Sequence, residues 1–559
     1  MATGSTYLAQ SLADCGLNHF FHMPLILPNA IKAMQTVGVQ PIVNHSEKAA
    51  AYMADGYARA SGRLGVCASQ AIGASNLAAG LLDAYMAHSP VLALTGGGTA
   101  LTRERNTYQE VDQRPLYSGL TKMTARVETV ARLPDLLSQA MRTATTGAPG
   151  PVHLELNGFI GGVLDEQLLF APAPDARYAA APAVRHAAPE QDVAAAVRAI
   201  AQASRPIIVA GSGIRASRAQ AALAAFARKA KIPLAASLDA KAVMPESDAL
   251  CVGVVGKYSR ETANMAVSEA DFVLFVGTTT GNMVTNDWTL PKPGIPAIQI
   301  DVEPRELGRN YPLLVGLAGD PATVLDQLSA AIGEPAARGE WHARIAALRE
   351  EWREAYEAVE QSDRMPARPE RIARCVSDAL PDGALVVTDT GHSAIWTARH
   401  MYLDRPGQGV LRCAGSLGWA YPAALGAKCA QPERPVVCFT GDGGFLYHLS
   451  EIETSLRYGI NSVTVVNNNN GFSQERHIWE DDAKSDHNWR FAPVSYAKVA
   501  EGFGCKTYVV EKPGEIAAAV KDALQAKVPT LVEIMGDEMV SSPTPWRPGA
   551  PVVRTRDGY

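Results

Sequence analysis

The stretch that most constrains this chain is residues 435–475. Residues 436–439 and 463–466 are apolar runs bounded by turn residues, which predicts two buried strands. Between them Phe445, Leu449, Ile452 and Leu456 recur at helical spacing. Strand, helix and strand in so short a span make a βαβ unit, so the two strands should be parallel neighbours. Both then end on one edge of the sheet, where open α/β sheets bind their ligands.

At those two ends stand Gly441-Asp442-Gly443-Gly444 and Asn467-Asn468-Asn469-Asn470-Gly471. Asp442 offers a carboxylate, Asn469 an amide oxygen, and a loop carbonyl near Gly471 a third oxygen. Hard oxygen ligands with positions left over for phosphate suit Mg²⁺, which keeps few protein ligands. Gly443 and Gly444 open the following helix, whose free N–H groups can hold a phosphate. The pair reads as a metal–diphosphate anchor. A Gly-Asp-Gly triplet alone is an ordinary turn. Followed 27 residues after the Asp by the second Asn of an Asn-Asn pair, it resembles the cofactor motif of thiamine-diphosphate (ThDP) enzymes. That resemblance implies Asp442, Asn469 and the Gly471 carbonyl as ligands of Mg²⁺, with Gly443 and Gly444 at the diphosphate.

A chain of 559 residues is too long for one core, so several domains are expected. Net charge of −6 leaves no footprint for nucleic acid or an acidic membrane surface. The eight cysteines are scattered without metal-ligand spacing, which fits reduced thiols and a cytoplasmic protein. No signal peptide is expected at the N-terminus, and no apolar run reaches membrane-spanning length. The pattern predicts an α/β protein of three domains, each with a mostly parallel sheet flanked by helices: 1–170, 190–335 and 365–559. An Ala/Pro-rich linker separates the first two. Before the third, an amphipathic helix is expected with Trp341, Ile345, Leu348, Trp352, Tyr356 and Val359 on one face.

A thiazolium cofactor must lose a proton from C2, and its aminopyrimidine can take that proton if an acid holds the ring nitrogen. Glu47, between a short strand and an Ala-rich helix, is the candidate, although Glu in a first helical turn also simply complements the helix dipole. Residues 44–59 resemble the pyrimidine-side Glu helix of the ThDP family, with Ser46 where His or Asn is usual. Asp389-Thr390-Gly391-His392-Ser393 resembles the first diphosphate loop, which implies Gly391, His392 and Ser393 at the cofactor. Gly415-Ser416-Leu417-Gly418 resembles the loop that bends it, with the Gly415 carbonyl at the pyrimidine amino group and Leu417 as the wedge between the rings. The resemblance covers the chain as pyrimidine-binding (Pyr), middle and diphosphate-binding (PP) domains. It implies a homodimer at least, with a homotetramer common, because Glu47 and the diphosphate site then come from different subunits.

The residues over C2 would choose the reaction among small carbonyl substrates. Where pyruvate decarboxylases have an acid in the first loop and a His pair later, this chain has Leu25 and Ile26 and no such pair. Glu475 matches the position of a decarboxylase glutamate, and Gln70, Gln113 and His477 are further polar candidates. Residues 69–76, 81–86 and 106–113 resemble the acetolactate synthase and benzaldehyde lyase branch. An apolar lid disfavours protonation and favours a carbonyl acceptor. A ThDP- and Mg²⁺-dependent lyase or carboligase acting on a 2-oxo acid or 2-hydroxy ketone is therefore expected. The alternatives are a non-oxidative 2-oxo acid decarboxylase and an enzyme like 2-hydroxyacyl-CoA lyase or oxalyl-CoA decarboxylase. In the middle domain Gly211-x-Gly213-x-x-Ala216 after a strand fits a dinucleotide fingerprint, so FAD or ADP there stays open. An FAD- or NAD-dependent oxidoreductase built on that turn is the rival class, and it leaves Asp442, Asn469 and Glu47 unexplained.

Overall fold

The computed structural model describes residues 2–335, 337–479 and 486–552, except the side chain of His477. Three six-stranded sheets, every pairing parallel, follow one another along the chain. In spatial order the first has Gln40–Val43, His19–His22, Gly65–Ser69, Val91–Gly97, Val152–Asn157 and Met123–Val127. The second has Val315–Ala318, Ala297–Asp301, Phe272–Val276, Pro206–Ala210, Leu234–Ala236 and Cys251–Val254. The third has Gly409–Arg412, Leu385–Thr388, Val436–Gly441, Val463–Asn468, Thr530–Met535 and Lys506–Val510. Counted within each sheet, the outer two share the order 2-1-3-4-6-5, and the middle one is the doubly wound 3-2-1-4-5-6. Central strands such as Phe272–Val276 are buried at every residue, which is why they are continuous apolar runs and not alternating ones.

The N-terminal and C-terminal domains meet at two helices, Glu47–Ser61 and Ala420–Ala430. Small residues let their backbones touch. A Cβ on Gly56 would lie 2.0 Å from the Ala423 carbonyl oxygen, and one on Gly426 would lie 1.9 Å from that of Met53. Around this crossing a single core runs from Phe21 and Leu81 to Leu411 and Trp419. The Gly339–Glu360 helix buries the six expected residues, with Trp341, Ile345 and Leu348 in the middle domain. Farther along it, Trp352 and Tyr356 contact the Arg399 guanidinium of the C-terminal domain. Trp546, near the chain's end, also packs into the middle domain, where its carbonyl accepts from Asn286 at 2.9 Å.

One expectation needs correction. The helix anticipated through Phe445 and Leu456 is two pieces, Asp442–Leu446 and Glu451–Arg457. Between them the backbone bonds tighten to i→i+3, as from His448 to Phe445 and from Glu451 to His448. The break places the Glu451 carboxylate where it accepts from the His45 amide at 2.9 Å and from the Asn44 side chain at 3.2 Å. A contact with another domain, invisible to local periodicity, decides it. Among the described residues, no helix is long and apolar enough to cross a membrane.

In an exposed helix Gly→Ala would gain about 1 kcal/mol. At this crossing the added methyl overpacks two backbones, so Gly56→Ala should instead lower stability by about 1–3 kcal/mol or more. Urea unfolding followed by tryptophan fluorescence measures the sign.

Candidate active site

The strand order of the third sheet reverses between Leu385–Thr388 and Val436–Gly441, and the loops leaving these parallel strands face each other across that switch point. Asp442 opens the Asp442–Leu446 helix there, almost fully buried. Its two carboxylate oxygens accept from the Gly443 amide at 2.8 Å and the Gly471 amide at 2.9 Å, so the 442 and 469–471 segments meet. Burial pushes the Asp442 carboxyl up to about 7, against these backbone donors. Asn469 is buried too, and no described residue engages its side-chain amide.

This donor set fits a magnesium ion shared with a diphosphate. Among the described residues no three His, Cys, Asp or Glu side chains cluster to hold a metal. A cation at Asp442 would have one carboxylate, one amide oxygen and a carbonyl from protein, which leaves room for phosphate oxygens. The close packing behind it leaves no space for larger residues. A Cβ on Gly443 would meet the Phe472 ring at 2.6 Å, and one on Gly444 would meet Thr440 Oγ1 at 2.9 Å.

Gly391 has φ +66°, ψ −142°, a conformation open to glycine alone, and precedes the His392–His400 helix. The side chain of Gln474 reaches this turn from the 469–475 segment. Ser393 Oγ lies 3.8 Å from where a Cβ on Gly441 would be, so the first diphosphate loop and the Gly441–Gly444 corner are adjacent. His392 packs beside Trp396. Gly415 is exposed, and no described residue donates to its carbonyl. Leu417 is half-buried and belongs to none of the hydrophobic cores.

Two carboxylates hold these loops, and sequence reasoning assigned neither a role. Asp83, on the Ala74–Met86 helix, accepts from the backbone amides of Ala414, Gly415 and Ser416 at 2.8–3.1 Å and from Arg59 at 2.7 Å. Arg59 also pairs with Asp55, which accepts from Trp419 Nε1 at 2.8 Å. Asp389 accepts from Thr390, Gly418 and Ala420 at 2.8–3.3 Å, which ties the first diphosphate loop to the bending loop. The one sequence signal for them is an acid in an otherwise apolar helix or directly after a buried strand.

In the N-terminal domain Glu47 is the first residue of its helix, capped by Ser46, and accepts from Asn76 Nδ2 at 3.2 Å. A Cβ on Gly73 would lie 2.5 Å from Glu47 Oε1, so the 69–76 segment encloses this carboxylate. None of its contacts reaches the Asp442 corner of the same chain. Leu25 and Gln70 lie at the switch point of the first sheet, after His19–His22 and Gly65–Ser69. Gln70 keeps a buried Oε1 with no donor among the described residues. Leu25 is 61% exposed, whereas Ile26 is wholly inside the N-terminal core and presents nothing to a cleft. Gln113 is buried, its amide spent on Thr95 and the Gly96 carbonyl. Glu475 is exposed on its loop, and the side chain of His477 lies outside the described residues.

The Gly211 turn is not shaped as a pyrophosphate cradle. The Gly211 and Gly213 amides donate at 2.9 Å to the carbonyls of Val276 and Gly277, and the helix that follows is only Gly213–Ala216. Its glycines serve close packing between neighbouring strand exits.

Comparison with known proteins agrees with this geometry. Residues 2–116, 193–328 and 389–534 match the N-terminal TPP binding, central and C-terminal TPP binding domains of thiamine pyrophosphate enzymes. The chain is 32% identical over 518 residues to a probable acetolactate synthase large subunit of Methanocaldococcus jannaschii, covering 90% of this chain and 86% of the relative. It is 28% identical to the acetolactate synthase isozyme 2 large subunit of Escherichia coli over 96% of both chains. A putative thiamine pyrophosphate-containing protein of Bacillus subtilis is 28% identical over 91% of this chain and 85% of its own length.

Two outcomes follow from the loop-holding carboxylates. Asp83→Ala leaves three backbone amides without their acceptor and Arg59 with Asp55 as its one remaining carboxylate, so ThDP affinity, read by circular dichroism titration, should fall tenfold or more. Burial pushes the Asp389 carboxyl up to about 6 from its ordinary 3.8. The folded protein then holds that proton more tightly than the unfolded chain, so this group's contribution to stability is lost as pH rises from about 4 to about 6. Relative to Asp389→Asn, the cofactor-free protein should lose about 1–3 kcal/mol across that window and nothing above it, read by urea unfolding at each pH.

Proposed function

The chain belongs to the thiamine pyrophosphate enzyme family, and on that premise we propose that it makes or breaks a carbon–carbon bond in a small 2-oxo acid or 2-hydroxy ketone. End-to-end similarity to acetolactate synthase large subunits carries this reading. The Asp442–Gly471 corner supports it by fitting Mg²⁺ and a diphosphate.

Bound there, ThDP supplies a carbon nucleophile and an electron sink. Every other part of the proposal concerns the chain's own residues. Asp442, Asn469 and the Gly471 carbonyl hold Mg²⁺, whose charge keeps the Asp442 carboxyl ionised despite its burial. The amides of Gly443 and Gly444, with the Gly391, His392 and Ser393 turn, bind the diphosphate. The Gly415 carbonyl would accept from the cofactor's amino group, and Leu417 would supply an apolar support for its rings. Glu47 of a second copy holds a proton at the pyrimidine ring nitrogen, which makes a homodimer the smallest active unit and a homotetramer the expected one. The described contacts of Glu47 within its own chain are compatible with that sharing.

The choice of reaction rests on what faces the reacting carbon. Leu25 offers an apolar, exposed side chain, and Gln70 a polar atom without a partner. An apolar wall slows protonation and gives a second carbonyl time to react, so carboligation is favoured over simple decarboxylation. A cytoplasmic site of action accords with reduced thiols, since all eight cysteines are free.

The purified protein with ThDP, Mg²⁺ and pyruvate, alone or with benzaldehyde, should yield a 2-hydroxy ketone or a 2-hydroxy-3-oxo acid by mass spectrometry. Release of acetaldehyde alone from pyruvate, in both reactions, would overturn the carboligase reading. Glu47→Gln should lower kcat by about 10²–10⁴-fold with ThDP still bound, whereas Asp442→Ala should abolish Mg²⁺-dependent ThDP binding.

A further inference from the structure

We infer that the junction of the three domains holds a second site, one for a small multivalent oxyanion such as a phosphorylated or polycarboxylate metabolite. A cavity of about 1000 Å³ opens there, at the upper end of small-molecule site volumes. Its walls include Pro90, Leu385 and Gly409, which precede or begin strands of the two outer sheets. It therefore lies at the strand-start edges of both sheets, opposite the edge that carries Asp442.

Its charge is one-sided. Among the described residues that line it, none is Asp or Glu. Three lining cations have carboxylate partners outside the wall: Arg59 with Asp55 and Asp83, Arg228 with Asp248, and Lys241 with Glu246. Four others have none. Arg215 donates to the carbonyls of Asp239 and Val410, and Arg218 to that of Ser61. Arg434 donates to Gly383, Gln431 and Gly407, and Arg405 is exposed with no side-chain hydrogen bond or ion pair.

Three acids close in sequence to wall residues have partners of their own. Asp239 pairs with Arg412, Asp248 with Arg228, and Asp404 accepts from the Ser247 amide. Arg218 and Arg405 stand exposed, with Arg215 and Arg434 half-buried, so charge runs from mouth to interior. Burial lowers the Arg215 guanidinium to about 10, with Asp239 opposing and Arg59 reinforcing the shift. Guanidinium forks match phosphate and carboxylate geometry, and a cleft with one sign of charge concentrates the opposite ion. Among the described lining residues His88 is the one aromatic ring, so none of them offers a broad stacking face for a nucleotide base.

The test uses the holoenzyme, saturated with ThDP and Mg²⁺ so that the diphosphate site is filled. Calorimetric titrations with 2,3-bisphosphoglycerate, citrate and inorganic phosphate are run in chloride buffer at fixed ionic strength and fixed free Mg²⁺. The bisphosphate or citrate should bind once per chain with Kd below about 1 mM, more tightly than inorganic phosphate. Tighter bisphosphate identifies a phosphorylated ligand, and tighter citrate a polycarboxylate. Arg218→Gln/Arg405→Gln should weaken binding tenfold or more with ThDP affinity unchanged. If that protein does not fold, the single exposed change Arg405→Gln should weaken it at least threefold. Absence of saturable binding by all three probes, or equal affinity in wild type and the folded variant, overturns the site.

Discussion

The structure depends on a backbone-to-backbone approach between two helices that leaves no room for a single methyl group. Gly56 against Ala423 and Gly426 against Met53 bring the first and third domains together. The same approach carries the start of the Glu47–Ser61 helix onto residues 448–453, where Ser46, His45 and Asn44 find partners. It also lets Asp83 reach across domains to the 414–416 loop. Without it, the loops that shape the candidate site would be fixed from one side only.

The candidate site is a set of strand exits restrained by buried acids. Asp442 gathers two loops of one sheet through backbone amides, Asp389 joins two more, and Asp83 supplies a brace from another domain. Charged acceptors for several amides are stronger than neutral ones and fix loop geometry before any ligand arrives. This explains why so many glycines occur here. At Gly418, Gly443, Gly444 and Gly471 a neighbour stands so close that a side chain would displace it.

Much of this was legible in the sequence because local periodicity and spacing encode it. The strands at 436 and 463, the Glu47 helix and the apolar face of the Gly339–Glu360 helix need only neighbours along the chain to be recognised. What escaped depends on partners far away in sequence. The helix break before Glu451 is set by His45 and Asn44, and the burial of Ile26 and Gln113 by the N-terminal core. The Gly211 turn, open to FAD or ADP by its pattern, also depends on a distant partner. Its pattern fits a nucleotide loop, but the neighbouring strand exit at Gly277 takes up the Gly213 amide. Asp83 and Asp389 look like isolated acids until the loops they hold are seen.

The anchoring of Trp546 alters the mechanics of the middle domain. That domain is joined to the rest through its entry near 190, through the Gly339–Glu360 helix at its exit, and again through Trp546 returning from the end of the chain. A body tied at two points can swing about the line between them. Each further tie restricts that swing. The middle domain is thus held by the chain at its entry, its exit and Trp546, and by side-chain bonds to both outer domains, so a displacement of it is resisted at several points at once.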